Sequence, residues 1–173
     1  MKWIKPYSKV LLALDISKPK FGFFEREFGQ QPVKIRPMEP EDISDILEID
    51  RKISGVQRAF TYKGSFHGLI GGEMGMSLVV EMDDKVVGFV LAYLSYVREQ
   101  VSEACMINIF GVDPKYRKQG IASMLFKKLL NECHSKKIGL VCVTLQDQDR
   151  ELKNFFEHIG FERMQYVGYS KAL

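Results

Sequence analysis

The segment from Met106 to Lys137 constrains the fold more than any other part of the chain, because it joins a buried strand to a long amphipathic helix. Residues 106–112 form an apolar run typical of a buried strand, and residues 123–137 carry apolar side chains at helical spacing. A strand–helix–strand unit makes a right-handed crossover, so the next apolar run, 140–145, is predicted to lie parallel and adjacent to 106–112. The predicted fold class is therefore α/β, in the mixed α+β sense.

The loop between the strand and the helix has the composition of an anion-binding turn. The first N–H groups of a helix have no partner within the helix, and the helix dipole adds about half a positive charge there. Gly120 lets a ligand approach the main chain closely, and nearby lysine and arginine residues add formal positive charge. A phosphate or pyrophosphate is therefore expected on consecutive residues: Arg117, Lys118, Gln119, Gly120, Ile121, Ala122 and Ser123.

An ordinary helix start with a basic first turn is the alternative to this anion site. Cations at a helix N-terminus are unfavourable unless an anion is bound there. Lys115 and Tyr116 also occupy the places before Arg117 where a capping Ser, Thr, Asp or Asn would stand. Both observations favour the anion site.

Length and composition fit a single domain of ordinary charge. The chain has 173 residues, of which 46% are hydrophobic and 27% charged, and this length suits one domain with a sizeable core. The net charge of +3 gives no indication of nucleic-acid binding. Cys105, Cys133 and Cys142 lie in apolar stretches without metal-site spacing, so we expect buried thiols in a reducing compartment and no bound metal.

Residues 1–32 are predicted to be an N-terminal extension to a domain at 33–173. No apolar run reaches the ~18 residues of a membrane span, and the run at 10–14 is too short for a signal peptide. We therefore expect a cytoplasmic protein that is not bound to a membrane. The extension is basic and carries Phe21, Phe23, Phe24 and Phe28. It could be a partner-binding or membrane-surface arm; the favoured interpretation is that its aromatic side chains pack on its own domain or on a second copy in a homodimer.

Further strands and helices are predicted around the central unit. Two runs, 77–82 and 86–97, flank Asp83-Asp84-Lys85 and indicate a β-hairpin. Residues 54–75 hold several glycines and predict a long loop, which in a compact domain is usually functional or disordered. The other predicted elements are a strand at 33–38, a helix at 40–53, a helix at 150–158 that Gly160 ends, and a strand at 161–171.

Four of these features together resemble the GNAT acyltransferase superfamily, whose members bind acetyl-CoA. They are the hairpin at 77–97, the strand ending in Val112-Asp113-Pro114, the loop at 117–122 and the segment 154–161. The resemblance covers roughly residues 33–173 and is nearest to enzymes that acetylate protein N-termini, of the ribosomal-protein alanine type. It implies the GNAT fold, a mixed central sheet flanked by helices, and an acetyl-CoA-dependent N-acetyltransferase.

The resemblance also implies which residues hold the cofactor. Its pantetheine arm would follow the backbone of Phe110, Gly111 and Val112, and its pyrophosphate would lie on the loop. Asn154 is either a further cofactor contact or a surface helix residue, and Phe156 is a further candidate contact.

The usual general acid of this superfamily is missing from the chain. GNAT enzymes often place a tyrosine at the position that Phe156 holds here, and an asparagine at that of Asp149. Phenylalanine cannot donate a proton, and losing a positioned acid typically costs about 10²–10⁴ in rate.

Three other residues are candidate catalytic groups. Glu103 lies where GNAT proteins often carry a base, and its alternative is a solvated carboxylate at a strand end. Tyr169 lies on the last predicted strand, where a half-buried aromatic residue is the alternative. Asn108 is polar within an apolar run, so it could bond a water, mark a bulge or orient the substrate.

The expected function is transfer of the acetyl group of acetyl-CoA to a primary amine, with a protein or peptide N-terminus as the favoured acceptor. Two alternatives stay open. One is a non-catalytic acyl-CoA-binding sensor or partner-binding module, which Phe156 and the basic, aromatic extension favour. The other is an acetyltransferase for a small-molecule amine.

Overall fold

The computed structural model describes residues 9–15, 33–55, 75–96 and 103–164. The strands in these ranges are β1 (Lys9–Asp15), β2 (Val33–Pro37), β3 (Leu78–Met82), β4 (Lys85–Tyr96), β5 (Glu103–Val112), β6 (Leu140–Gln146) and β7 (Glu162–Met164). The helices are α1 (Ile43–Ser54), α2 (Ile121–Ser135) and α3 (Arg150–His158), with short 3-10 turns at Pro40–Asp42 and Pro114–Tyr116.

The described strands form one mixed sheet in the order β2-β3-β4-β5-β6-β1-β7. Among them β5 and β6 are parallel, with Ala104 opposite Leu140 and Ile107 opposite Val143, and the other neighbours are antiparallel. The helix α2 connects these two parallel strands, as a crossover requires. The predicted mixed sheet and the predicted parallel pair are both confirmed.

Helices cover both faces of the sheet. On one face, side chains of α2 and α3 pack on the sheet around Phe126 and Phe156, both of which are fully buried. On the other face, Ile46 and Ile49 of α1 pack against residues of β3 and β4, including Phe89. The three cysteines are buried free thiols, as their apolar surroundings predict.

An arginine on the edge strand fixes the start of α1 against the sheet. Arg36 donates two hydrogen bonds of 2.8 Å to Asp42 and one of 2.8 Å to Glu81. Asp42 also accepts the N–H of Glu39 at 2.8 Å. Burial raises the pKa of Asp42, but the bonds from Arg36 and Glu39 outweigh it and hold that pKa below its ordinary value. A bidentate arginine–carboxylate pair restricts orientation, so it helps to set the direction in which α1 leaves the sheet.

Part of the segment predicted as an extension lies inside the sheet. Strand β1 pairs antiparallel with β6 along its whole length, from Lys9 opposite Gln146 to Asp15 opposite Leu140, and on its other edge with β7. An apolar run of this length carries no signal for partners far along the chain, so its place in the sheet could not be read from it. The division of the chain into 1–32 and 33–173 stays a prediction, to which the structure adds that β1 is built into the sheet.

Other predicted segments meet the described residues only in part. The predicted loop at 54–75 and the aromatic residues 21–28 lie largely or wholly outside them. The predicted final strand at 161–171 is described only through β7.

Leu12 in β1 offers a test of how far this strand contributes to stability. Its side chain is 1% exposed, so Leu12→Ala should lower the free energy of unfolding by about 2–5 kcal/mol through lost burial and an unfilled cavity. Thr144→Ala, at an exposed position on the neighbouring β6, is the control and should change it by less than about 0.5 kcal/mol. Urea unfolding measures both variants. Equal effects of the two substitutions would mean that β1 is not part of the cooperative core.

Candidate functional site

An extra residue interrupts β5 at Asn108. Leu91 of β4 lies opposite Ile109, whereas the next residue, Ala92, lies opposite Ile107. Asn108 is therefore the unpaired residue of a β-bulge, and it is exposed. This agrees with one of the interpretations open for a polar residue in this apolar strand.

The bulge changes which residues of β5 face the core under α2 and α3. Before it, Cys105 and Ile107 belong to that core; after it, Phe110 and Val112 do. Strict alternation along a strand would put these two pairs on opposite faces. The inserted residue thus reverses which side chains of β5 face this core beyond the bulge. A bulge of this kind also increases the local twist of the strand.

Ser77 supports the opposite strand at this point. Its hydroxyl accepts the N–H of Ala92 at 3.1 Å and lies 3.2 Å from the Ala92 carbonyl, to which it donates. Met76 also donates its N–H to that carbonyl, at 3.1 Å, a regular hydrogen-bond length. The polar groups of Ala92 are thereby satisfied beside the bulge, where a regular ladder would be interrupted.

Strands β5 and β6 part immediately beyond the bulge. Their pairing ends at Ile107 opposite Val143, although both strands continue. Strand β5 stays paired with β4 as far as Val112, and β6 stays paired with β1 as far as Gln146. A gap therefore opens in the middle of the sheet, between residues 108–112 on one side and 144–146 on the other.

Backbone groups of β5 face this gap. The N–H of Asp113 donates to Val87 of β4 at 2.9 Å, so the carbonyl of Val112, in the same peptide unit, points the other way. Arg117 reaches that carbonyl with its Nε at 3.2 Å. Because backbone groups alternate along a strand, Phe110 also directs its N–H and C=O towards the gap. Backbone N–H and C=O groups along an unpaired strand edge can form hydrogen bonds with an extended ligand that carries amides.

The loop after β5 presents backbone N–H groups at the same end of the gap. Asp113 caps the turn Pro114–Tyr116 by accepting the N–H of Lys115 at 2.9 Å. Lys118 and Gly120 then take left-handed conformations, with φ of 60° and 82°. Left-handed residues in a turn can direct successive N–H groups to one side, which is the geometry of a concave anion site.

Helix α2 begins at Ile121, two residues before the predicted helical segment 123–137 and after the basic residues of the loop. Gly120 is its N-cap, and the first helical bond runs from the N–H of Met124 to the carbonyl of Gly120. The N–H groups of 121–123 are therefore free of helical partners, and the first turn holds no acidic residue. Arg117 and Lys118 stand outside the helix, which removes the apparent conflict between their charge and the helix dipole.

The predicted cofactor residues lie together at this end of β5. Phe110, Gly111 and Val112 form the edge of the gap, and residues 117–123 form the loop and the first turn of α2. The side chains of Lys115, Arg117, Lys118 and Gln119 are exposed there. Whether each one contacts a ligand stays a prediction.

Two further candidates are on α3, and only one is exposed. Asn154 is exposed. Phe156 is fully buried in a cluster of aromatic rings, where its ring centroid lies 5.3 Å from that of Phe110 and 5.0 Å from that of Phe161. Asp149, at the position where the superfamily often has asparagine, is the N-cap of α3 and accepts the N–H of Leu152 at 3.3 Å. A cofactor role for Asn154 or Phe156 remains a prediction.

The three candidate catalytic residues are not brought together by the described structure. Glu103 starts β5 and is half-buried, roughly 16 Å along the strand from Asn108. Asn108 lies at the bulge, beside the opening of the gap. Tyr169 lies outside the described residues. Their catalytic roles stay predictions.

The C-terminal end of α1 packs against the end of β5, a contact that the sequence did not predict. A Cβ at Gly111 would lie 2.8 Å from Cδ1 of Ile53 and 3.0 Å from Cε1 of Phe89, so only glycine fits without a shift. Ile53 is 39% exposed beside this position. Next to it, Lys52 forms an ion pair with Asp113 at 2.9 Å. The periodicity of the sequence places Lys52 and Ile53 at the end of a helix, but it does not predict that they contact Asp113 and Gly111.

The described residues hold neither a metal centre nor a membrane-spanning helix. Within those ranges, no group of three or more His, Cys, Asp or Glu residues is arranged to hold a metal ion. The helices of the described part are also too short or too polar to cross a membrane.

The divided sheet and the loop after β5 together have a geometry that suits an elongated phosphorylated ligand. Residues 74–163 match the family model described as an acetyltransferase (GNAT) domain. This match spans more than half of the chain, and the chain therefore belongs to the GNAT acetyltransferase family. The resemblance noted from the sequence is confirmed at the level of the family.

Individual relatives agree with this family. An uncharacterized N-acetyltransferase of Methanocaldococcus jannaschii is 24% identical over 140 residues, which cover 77% of this chain and 62% of the relative, so less than two thirds of its length is matched. The aminoglycoside N-acetyltransferase AAC(6')-Iy, solved with CoA, superposes with a TM-score of 0.70 at 16% identity and covers 83% of this chain and 97% of its own. The ribosomal-protein-S18-alanine N-acetyltransferase of Escherichia coli gives 0.65 at 16% identity, with 78% and 80% covered.

Gly120 allows the anion site to be tested. Gly120→Glu should lower the affinity for acetyl-CoA by about a hundredfold or more, because it brings a carboxylate against phosphates. Gly120→Ala is the matched control: at φ 82° it carries the same backbone strain, of about 1–2 kcal/mol, but no charge. Calorimetric titration measures affinity, and thermal unfolding should place both variants close together. A folded Gly120→Glu variant with unchanged affinity would contradict this assignment of the loop.

Proposed function

We propose that this protein is an N-acetyltransferase that takes the acetyl group from acetyl-CoA and transfers it to a primary amine. The single observation that carries the proposal is the coincidence of two features at the end of β5. The gap between β5 and β6 opens at Asn108, and the loop that leads to the free N–H groups of residues 121–123 follows the same strand. A ligand with a phosphorylated end and a long, amide-bearing arm suits both features at once.

The chemistry of acetyl-CoA matches the two features separately. Its pyrophosphate suits the N–H groups of 121–123 and the cations Arg117 and Lys118. Its pantetheine arm carries two amides, which suit the backbone groups of Phe110 and Val112 in the way that a neighbouring strand would. The thioester at the end of that arm would then reach towards Asn108, where the strands part.

The proposed reaction is direct attack of a neutral amine on the thioester. The new C–N bond forms as the C–S bond breaks, the amine loses a proton, and the leaving thiolate gains one. At pH 7 a lysine side chain with a pKa of about 10.4 is neutral in roughly 0.04% of molecules, whereas an α-amine with a pKa near 7.7–8.0 is neutral in roughly 10–17%. An α-amine therefore needs less help from a base.

A peptide or protein α-amine is the favoured acceptor on these grounds. The thiolate is a tolerable leaving group if its pKa resembles that of cysteine, at about 8.5. The chain has Phe156, buried and without a proton to donate, where relatives in the superfamily often have a tyrosine acid. The weaker demand of an α-amine is compatible with this loss. Glu103, Asn108 and Tyr169 are the candidates for handling protons or orienting the acceptor.

A non-catalytic acyl-CoA sensor is the second candidate function. Buried Phe156 is the observation that favours it, because the described residues of α3 then offer no tyrosine acid for the leaving thiolate. This candidate predicts tight binding of acetyl-CoA without turnover on any amine.

A panel of acceptors distinguishes these functions and the acceptor class. Purified protein with acetyl-CoA is offered peptides with free α-amines, the same peptides with blocked N-termini but free lysines, polyamines, aminoglycosides and a proteome-derived peptide mixture. The expected result is release of CoA thiol and one added acetyl group on free α-amines, with little on the blocked peptides.

The other results of this panel are equally informative. Turnover on small amines alone would refute the peptide preference while leaving the acetyltransferase in place. Binding of acetyl-CoA with no turnover on any amine would favour the sensor. Absence of acetyl-CoA binding in calorimetry would overturn both candidate functions.

A further inference from the structure

We propose that Lys52 of helix α1 is a positioning residue for acetyl-CoA, acting through Asp113 on the loop that holds the pyrophosphate. The inference rests on the proposed function. It adds a residue that lies far from the motif in sequence and on the opposite side of the strand end.

The geometry connects α1 directly to the start of the loop. Lys52 donates to Oδ2 of Asp113 at 2.9 Å and to Oε1 of Glu48, one turn earlier on its own helix, at 2.8 Å. The Asp113 side chain is 8% exposed and that of Lys52 is 33% exposed. The pair is therefore shielded on its acidic side and open to water on its basic side.

Asp113 uses every polar group it has to hold this end of β5. Its N–H donates to Val87 at 2.9 Å, and its carbonyl accepts the N–H of Tyr116 at 2.8 Å. Its Oδ1 accepts the N–H of Lys115 at 2.9 Å, and its Oδ2 accepts from Lys52. One residue thereby fixes the strand, the 3-10 turn and the helix relative to one another.

A buried carboxylate with these duties depends on a nearby cation. Taking a charge out of water is costly, and removing the partner of a buried charge is strongly destabilising. Without Lys52, the charged groups of the described residues that face Asp113 are Glu48 on α1, which repels it, and Lys115 on the turn. The Asp113 carboxylate would then become protonated more readily or move towards water. Either change would weaken its hydrogen bond to Lys115 and so the turn that directs residues 117–123 towards the ligand.

A neighbouring contact makes α1 a suitable support. Ile53 contacts Gly111, two residues before Asp113, because a Cβ there would lie 2.8 Å from the Cδ1 of Ile53. Consecutive residues of α1, Lys52 and Ile53, thus contact the start of the loop and the end of β5. Movement of α1 would be transmitted to the cofactor loop through both contacts.

Burial alone would raise the pKa of Asp113, yet the hydrogen bonds from Lys52 and from the N–H of Lys115 outweigh burial and hold it below its ordinary value. A carboxyl group with a lowered pKa stays ionised until the pH falls through that value. The wild-type loop should therefore keep its geometry from pH 8 to below 5, and the part that depends on this carboxylate should be lost only in stronger acid.

Lys52→Met, Lys52→Arg and Lys128→Met test the role. Lys128 is the matched control, because it also forms an exposed i,i+4 pair on a helix, with Glu132 at 3.2 Å, and has no contact with Asp113 among the described ion pairs. Lys52→Met should raise the calorimetric Kd and the KM for acetyl-CoA by about tenfold, with kcat changed less than about threefold. Lys52→Arg should restore most of the affinity, and Lys128→Met should leave it unchanged.

The pH dependence separates positioning from a general loss of structure. In Lys52→Met the pKa of Asp113 should rise, so the ratio of variant to wild-type Kd should grow as the pH falls from 8 to 5. Taking the ratio cancels the titration of acetyl-CoA itself. Asp113→Asn should abolish this extra pH dependence, and combining it with Lys52→Met should cost less than the sum of the two single effects.

The outcomes distinguish this inference from the proposed function. Wild-type binding with an equal Kd for Lys52→Met at every pH would overturn the role of Lys52 and leave the acetyltransferase standing. Failure of the wild-type chain to bind acetyl-CoA would instead overturn the proposed function. If Lys52→Met does not fold, Lys52→Arg and Asp113→Asn test the same inference. A role that depends on the charge pair predicts a small rise in the Kd for acetyl-CoA with Lys52→Arg and a large rise with Asp113→Asn.

Discussion

The hydrogen bonding of one strand, β5, is the constraint on which the rest of the structure depends. An interior strand must satisfy both of its edges, and β5 does so with β4 over its full length but with β6 only as far as Ile107. The residue inserted at Asn108 changes the facing of every side chain beyond it. The gap, the start of the loop and the backbone groups that face the gap all lie just beyond that insertion.

The surroundings of the strand are arranged to tolerate this interruption. Ser77 supplies a hydroxyl where a backbone group would otherwise lack a partner, and Phe110 remains packed against the aromatic rings of α2 and α3. Asp113 secures the far end. Rigid support on both sides matters because a site built from backbone groups has no side chains with which to adapt its shape.

The sequence predicts well those parts of the fold that carry their own local signal. The hairpin around Asp83 and Asp84, both with positive φ, and the unit of β5, α2 and β6 follow from turn chemistry and periodicity. The loop composition likewise predicts an anion site, which stays a prediction, and in the structure α2 begins only after the left-handed Lys118 and Gly120. Contacts of long sequence separation escape this reasoning: Lys52 with Asp113, Ile53 over Gly111, and β1 beside β6 are set by tertiary packing alone.

The position of β1 between β6 and β7 has a consequence for the order of folding. Its partners β6 and β7 follow it by about 130 and about 150 residues, so pairing closes a very long loop and belongs to the slow, non-local part of folding. During synthesis, β1 is made before either of its neighbours. Leu11, Leu12 and Leu14, which are buried in the folded protein, therefore lack their neighbouring strands until most of the chain has been synthesised. We therefore expect the pairing of β1 with β6 and β7 to be a late step in folding of the sheet. The chain is most prone to aggregation before that pairing forms.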